Sequence, residues 1–467
     1  MANDSSARIA AQLRTWIHDA PPGSRLPSTR TLVAEHGASP VTVQRALALL
    51  RTEGLVETSP GVGTFTRRAR TTRPSDFSWQ TAALGTPARR IPASPAALRS
   101  AAGAPFALQS GYPDPDLLPE RLVRAAFGRA ARQDAAIRRA PSAGLPELQA
   151  WFASELAQAT PQGTTAPTAH DVLVLPGTQT GLSTAFHALV GSGRPLIIES
   201  PTYWGAIAAA ERVGVELVPV PSGPNGPDID ELARAFERTG ARAFYAHPNY
   251  ANPTGAQWSA ALGDQVLDLV AAHGAFLIED DWAHDFGITT EAMPLAARDE
   301  DGHVVYLRSL TKSVSPAVRV AGLIARGPAR DRILAETQAE SMYVSPVLQH
   351  VALDVVTRPG WTSHVRGLRA ALRARRDQLA DAVAAHAPQA LLTSLPAGGL
   401  NLWLRLPDHA DVRDVAAACE RRGLLIAPGH EWFPAESPGP HVRLNFSGPA
   451  PDRFADAARI LGEVLAA

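Results

Sequence analysis

YLRSLTKSVSPAVRV, Tyr306–Val320, holds the single lysine of a chain whose other cations are all arginine. A guanidinium serves as well as an ammonium for a solvated charge, but it stays protonated and cannot attack a carbonyl. A buried lysine sheds its proton and forms an imine. Composition alone leaves two readings of Lys312, a leftover of a GC-biased genome or a retained nucleophile, so its neighbours must decide.

Short apolar runs surround it: VLVLP, PLIIES, VELVPV, AFYAHP, AFLIEDD and VVYLRS, each followed by a loop and a helix-like stretch. That alternation predicts parallel strands covered by helices. Ligands in such sheets gather at the carboxyl ends of the strands, where the polar clusters of this sequence fall. PGTQTGL opens a helix after a strand, so backbone N–H groups and Thr178 are placed to hold a phosphate. NPTG, from Asn252, is a loop after AFYAHP. EDD, Glu279 to Asp281, ends a buried strand and sets carboxylates where burial is costly without a cationic partner. Ser309, Lys312 and Arg319 follow within the quoted stretch.

Taken singly, GTQTGL is an ordinary helix start, NPTG a good turn, Asp280 a cap and Arg319 a surface charge. Taken in order, they are the groups that pyridoxal 5′-phosphate requires: an amine for the aldehyde, donors and an arginine for the phosphate, and a carboxylate for the pyridine nitrogen. Tyr203, in ESPTYWG, offers an aromatic face for the ring.

Length and charge add a second module. A chain of 467 residues is expected to form two or more domains. Its net charge of −1 excludes a chain that coats nucleic acid along its whole length, but residues 1–73 carry a net +5 and the remainder about −6. Cys419 is alone, which rules out an intrachain disulfide and points to a reducing compartment. No long apolar segment is present, so a cytoplasmic location without a membrane span is expected. No metal is invoked.

In the basic module, Ile9, Leu13, Trp16 and Ile17 form the apolar stripe of a first helix. Ser28 caps a second that stops at Gly37, and Ser39 with Pro40 opens a third that ends before Gly54. Val43, Ala46, Leu47 and Leu50 back the third helix, turning Val41 and Arg45 outward with Thr42 and Gln44 beside them. A recognition helix is built this way. LVETSPGVGTFTRR reads as a two-stranded wing whose arginines meet phosphates. Residues 69–104, rich in proline, alanine and arginine, read as a connector, part of which binds a surface of its own or a partner chain.

LPSTRTLVAEHGASPVTVQRALALLRTEGLVETSPGVGTF resembles the winged helix-turn-helix of the GntR family, in its LPS-x-R opening, its TV pair and its G-x-GTF wing. The resemblance implies that Arg30, Thr42, Gln44 and Arg45 contact DNA and that Gly61 and Gly63 shape the wing. Pro40 stands where many relatives carry a polar or basic residue, so no base preference transfers. From about Gly111 onward the order of motifs resembles the fold-type I aminotransferases. This implies that Lys312 forms the Schiff base, Asp280 pairs with the pyridine nitrogen and Asn252 donates to the phenolic oxygen. Thr178, Gln179, Ser309 and Arg319 then hold the phosphate, Tyr203 stacks on the ring, and Arg443, in HVRLNFSG, grips an α-carboxylate.

Two departures stand out. Trp282 occupies the place where close relatives have a tyrosine, and an indole donates without titrating as a phenol does. APSAGLPELQAW lacks the tyrosine that often reaches the partner subunit's phosphate. Both are expected to spare cofactor binding and to leave at most a weak transaminase half-reaction.

Joined, the halves resemble the MocR/GabR subfamily of bacterial regulators, and GYPDPDLLP, Gly111 to Pro119, is a phrase its members share. The expected architecture is α/β: a winged helix over 1–68, a connector over 69–104, and a pyridoxal-phosphate-binding effector domain over 105–467 with a large, mainly parallel sheet and a small α/β subdomain. The resemblance implies a homodimer, often head-to-tail, on a double-stranded operator, sensing an amine or amino acid by aldimine exchange. A working aminotransferase with an accessory DNA-binding domain, and a sensor of pyridoxal phosphate itself, are the alternatives.

Overall fold

The computed structural model describes residues 5–67, 80, 83, 95–99 and 105–467. The chain divides into two compact units, Met1–Ala88 and Arg89–Ala467. Most of the connector read over 69–104 lies outside the described residues.

The first unit is written in its caps. Helix α1 (Ser5–Asp19) precedes α2 (Thr29–His36) and α3 (Pro40–Thr52). Ser28 Oγ accepts from Thr31 N at 3.1 Å, and Gly37 ends α2 at φ 56°, a conformation that costs a residue bearing Cβ. Ser39 Oγ accepts from Thr42 N at 3.2 Å, with Pro40 at the first helical position. Val43, Ala46, Leu47 and Leu50 bury themselves against Ile9, Ala10 and Leu13. Trp16, expected on the same stripe, is instead 40% exposed: this small core closes around Leu13 and the half-buried Ile17. Strands β1 (Val56–Ser59) and β2 (Gly63–Thr66) pair antiparallel, Val56 facing Thr66, and form the expected wing.

In the second unit β3 (Phe106–Ala107) comes first. It is followed by β4 (Val172–Leu175), β5 (Pro195–Ser200), β6 (Glu216–Gly223), β7 (Gly226–Pro227), β8 (Ala243–Ala246), β9 (Phe276–Asp281), β10 (Val304–Ser309) and β11 (Ala321–Ile324). The large sheet runs β4-β11-β10-β9-β8-β5-β6-β7. Strands β10, β9, β8, β5 and β6 are mutually parallel. Helices follow β4, β5, β7 and β8, but β9 is followed only by short 3-10 turns and β10 by a loop.

The sheet departs from an all-parallel one at β7, which returns antiparallel to β6, and at β11, a strand not expected from the sequence. The loop 310–320 is too short for a helical crossover, so the chain doubles back and β11 runs antiparallel to both β10 and β4. The reversal happens twice, so β4 points the same way as β10 and its carboxyl end reaches the same edge. The β-branched and leucine-rich strands bury both faces, one cluster gathering around Phe152, Val174 and Tyr306 and the other around Phe186, Ile198 and Leu307.

A smaller subdomain holds β12 (Leu391–Leu392), β13 (Asn401–Arg405), β14 (Leu424–Leu425), β15 (Ala427–Pro428) and β16 (His441–Asn445). Its sheet has the order β12-β13-β16-β15, while β14 pairs with β3. The helices Pro359–His386 and Phe454–Leu465 pack on it. They meet at Gly462, where a Cβ would lie 1.9 Å from the carbonyl oxygen of His386. Backbone cannot swing aside as a side chain does, so Gly462→Ala should destabilise this subdomain by about 2 kcal/mol through overpacking. Chemical denaturation followed by tryptophan fluorescence checks this.

Candidate cofactor site

The carboxyl ends of five strands converge on one cavity, whose wall includes Thr178, Gln179, Tyr203, Asn252, Lys312 and Arg319. Ser309 and Arg443 line it as well. Every residue read from the sequence as holding a cofactor lies there except Asp280, which sits buried behind the wall.

At one end, the helix Thr178–Leu189 begins after Gly177, whose φ is 103°. A Cβ at Gly177 would lie 2.8 Å from Arg319 Nη2, so glycine is what allows the guanidinium to close over the helix N-terminus. Unpaired N–H groups, a guanidinium and the hydroxyls of Thr178 and Ser309 make an anion cradle. Thr311, which the sequence reading missed one residue before the lysine, also lines the cavity, and its buried Oγ1 has no protein partner. Gln179 lines the cavity in the first turn of this helix, and its side-chain Nε2 donates to Gly205 O at 2.7 Å. Tyr203 folds over Gly205, where a Cβ would come within 2.4 Å of the phenol ring.

At the other end, Asp280 Oδ2 accepts from Tyr245 Oη at 3.1 Å, and His247 Nε2 lies 3.5 Å away. Tyr245 Oη and His247 Nε2 are themselves 2.9 Å apart. The second oxygen, Oδ1, is buried without a partner, an acceptor left for a protonated ring nitrogen. Tyr245 and His247 went unnoticed in AFYAHP, although residues two apart on a strand share a face. The other two members of EDD are held mainly by hydrogen bonds, with His284 as the ion-pair partner of Asp281. Glu279 accepts from the amides of Leu295 and Ala296 at 3.0 and 2.9 Å, and burial pushes it up to about 8. Asp281 accepts from Tyr306 Oη at 2.7 Å and lies 2.6 Å from His284 Nδ1. Amides, a phenol and an imidazole give these carboxylates hydrogen bonds at closer range than a mobile surface cation.

Lys312 lies between these ends. Its Nζ is 4.6 Å from the Trp282 ring centre and 5.9 Å from that of Tyr203. Burial, opposed by Asp280 and aided by Arg443 and Arg319, lowers the amine to about 8. Trp282 Nε1 donates to Tyr250 O at 3.2 Å, so the indole presents its face to the lysine and its N–H elsewhere.

Arg443, on β16, is fully buried, and its ordinary value drops to about 10 through desolvation. Nη1 donates to Asn252 Oδ1 at 3.2 Å, and Nη2 to the carbonyls of Gln109 and Ser110 at 2.9 and 3.1 Å. The guanidinium lies 4.7 Å over Trp432. Orphaned acceptors and donors, an anion cradle and a neutralisable amine, arranged around one cavity, fit pyridoxal 5′-phosphate.

In the first unit, Arg30, Gln44 and Arg45 are exposed, with Thr42 half-buried. Gln44 Nε2 reaches Thr29 Oγ1 at 3.3 Å. Gly61 and Gly63 have φ of 76° and 146° at the turn of the wing. A groove between α3 and the wing includes Arg25, Gln44, Arg51 and Gly61. Among the described residues no helix is long and apolar enough to cross a membrane.

The profile of the aminotransferase class I and II family matches residues 108–459, and that of the gntR family of bacterial regulatory proteins matches residues 5–66. A 2-aminoadipate transaminase of Thermus thermophilus is 26% identical over 76% of this chain and 88% of its own. The HTH-type transcriptional regulator YdcR of Escherichia coli is 27% identical over 98% of both chains. Among solved structures, the α-aminoadipate aminotransferase LysN of Thermus thermophilus superposes with a TM-score of 0.71 at 25% identity, covering 79% of this chain and 95% of that one.

The amine of Lys312 carries a pH signature. Its folded value, about 8, lies below the usual 10.5, so between those limits the unfolded chain binds more protons and stability rises with pH. Below pH 8 the buried charge opposes folding. Cofactor-free Lys312→Met should therefore be more stable than the parent at pH 7 by about 1–3 kcal/mol, and the lead should shrink as pH rises toward 10. Thermal unfolding of both proteins across that range is the measurement. With the cavity and both matches in place, the chain belongs to the aminotransferase class I and II family, whose fold uses pyridoxal 5′-phosphate, and carries that domain behind a GntR-type module as a transcriptional regulator.

Proposed function

We propose that this regulator, of the MocR/GabR type, senses an amine or amino acid at Lys312 and changes its grip on a double-stranded DNA operator. The observation that carries the reading is the one buried amine of the chain, placed among an anion cradle, an orphaned carboxylate oxygen and a buried guanidinium, in a chain that also bears a DNA-binding module. When bound, the cofactor supplies an aldehyde carbon open to amines and a ring that withdraws electrons. Asp280 keeps the ring nitrogen protonated, with Tyr245 and His247 holding the carboxylate in place. Thr178, Ser309, Thr311 and Arg319 hold the phosphate, and Asn252 offers its amide nitrogen to the phenolic oxygen. Lys312, whose amine burial lowers to about 8, would hold the cofactor's aldehyde carbon, and Arg443 would take the effector's carboxylate.

Domain bounds of 1–68, 69–104 and 105–467, a head-to-tail homodimer and a cytoplasmic location belong to the same proposal. Two winged helices on one dimer suit paired half-sites. The effector must favour one arrangement of the dimer over another, since equal affinity for both shifts nothing. A second reading, a working aminotransferase, draws support from relatives that match this domain alone and are named transaminases. Repeated turnover with an amino donor and a keto acid would favour it, and a single half-reaction favours the sensor.

Borohydride treatment of the holoprotein should fix a pyridoxyl group on Lys312, seen by peptide mass spectrometry, and Lys312→Ala should lose the visible absorbance band. Persistence of that band in the variant overturns the assignment. Arg45→Ala should weaken operator binding about tenfold at moderate salt with the cofactor band unchanged. Fluorescence anisotropy of a labelled operator measures it.

A further inference from the structure

We propose that Tyr245 is a positioning residue for the cofactor: it commits its single hydroxyl proton to Asp280 Oδ2 and so leaves Oδ1 to the ring nitrogen. The inference rests on the pairing of Asp280 with that nitrogen and does not depend on which effector the protein senses.

The backbone brings these groups together. Tyr245 lies on the interior strand β8, opposite Ile198 of β5 on one side and Ile278 of β9 on the other. Side chains two apart on a strand share a face, so Asp280, two residues beyond Ile278, projects from the same side of the sheet as Tyr245. His247, two residues beyond Tyr245, follows it there. Phe186 meets the phenol ring edge-on, with centroids 5.7 Å apart at 87°, and His247 does so at 5.1 Å and 76°. His247 is held in turn by its backbone: its N donates to Glu199 Oε2 at 2.8 Å, and Glu199 Oε1 accepts from Ser222 Oγ at 2.9 Å. Tyr245, His247, Asp280 and Glu199 are each at most 1% exposed. They are enclosed within one chain, so a second subunit has no surface of theirs to touch.

The inventory of donors fixes the direction of the hydrogen bonds. An ionised carboxylate only accepts, and a phenol has one proton to give. Tyr245 Oη lies 3.1 Å from Asp280 Oδ2 and 2.9 Å from His247 Nε2. With the phenol's proton on the carboxylate, its oxygen accepts from Nε2–H. The opposite arrangement would set phenol lone pairs against the carboxylate. His247 Nε2 is itself 3.5 Å from Oδ2, too far for a good hydrogen bond, so the phenol is the nearer donor. Burial, then the neighbouring Asp280, push the phenol well above its ordinary value, which keeps its proton in place. Donors in series, imidazole to phenol to carboxylate, strengthen one another in a dry interior. With Oδ2 occupied, Oδ1, which has no partner among the described residues, is left to accept from the ring N–H. Without the phenol, the carboxylate would be free to rotate about its last torsion or to take up the proton that the ring nitrogen needs.

The test compares two ligands on the full-length protein stripped of cofactor: pyridoxal 5′-phosphate, and its analogue with C–H in place of the ring nitrogen, which gives Asp280 nothing to accept. Tyr245→Phe keeps the ring and removes only the hydroxyl. It should weaken the first ligand about tenfold and change the second by less than about twofold, as read from quenching of tryptophan fluorescence. In an Asp280→Ala background the same change should leave the affinity for pyridoxal phosphate unaltered. Nitrogen NMR of ring-labelled cofactor on the parent should show a protonated pyridine, and the resonance should move toward the unprotonated position in Tyr245→Phe. Equal loss for both ligands would mark the phenol as packing alone and overturns the proposal. So does an undiminished affinity for pyridoxal phosphate, a further loss in the Asp280→Ala background or an unmoved resonance. A parent on which borohydride marks no lysine removes the cofactor reading itself, and this inference with it.

Discussion

Everything in the second unit turns on keeping a primary amine dry enough to lose its proton. Lys312 meets this through the faces of Trp282 and Tyr203, two nearby guanidiniums and the walls of a sheet whose strands are buried on both sides. Asp280 pulls the other way, and burial wins. An exposed lysine would stay charged and unreactive, while one buried without Asp280 behind it would lack the acceptor that a protonated ring nitrogen requires.

That balance depends on strand order. The carboxyl ends of β5, β8, β9 and β10 are brought side by side, and β4 joins them from across β11. Residues far apart in the chain, Thr178, Tyr203, Asn252, Asp280 and Lys312, therefore meet at one edge. The smaller subdomain completes the cavity, because Arg443 on β16 reaches back to Asn252 and to the carbonyls of Gln109 and Ser110.

Much of the DNA-binding half was legible because its signals are local. Ser28, Gly37, Ser39 and Pro40 cap helices through contacts within a few residues, and the outward turn of Arg45 follows from helical period. Trp16 was misread because period says which face a residue lies on and not where the core ends. In the larger half the alternation of strands and helices was legible, but β11 was hidden in a four-residue run whose pairing is decided by neighbours on either side. Leu98 and Ala97 were read as connector, since nothing in a proline- and alanine-rich stretch says which surface it meets.

The amino-acid order by itself determined the chemistry: one lysine, a carboxylate at a strand end, a helix-opening Gly-Thr, an arginine late in the chain and a capped helix-turn-helix at its start. These are choices of functional group and of local backbone, and a sequence states both directly. Only the tertiary structure decided that the indole N–H of Trp282 goes to Tyr250 O, that two backbone amides hold Glu279 while a phenol and the His284 imidazole hold Asp281, and that Leu98 walls the cavity. Those outcomes depend on which side chains compete for the same space and the same hydrogen bonds, and that competition exists only once distant segments have been packed together.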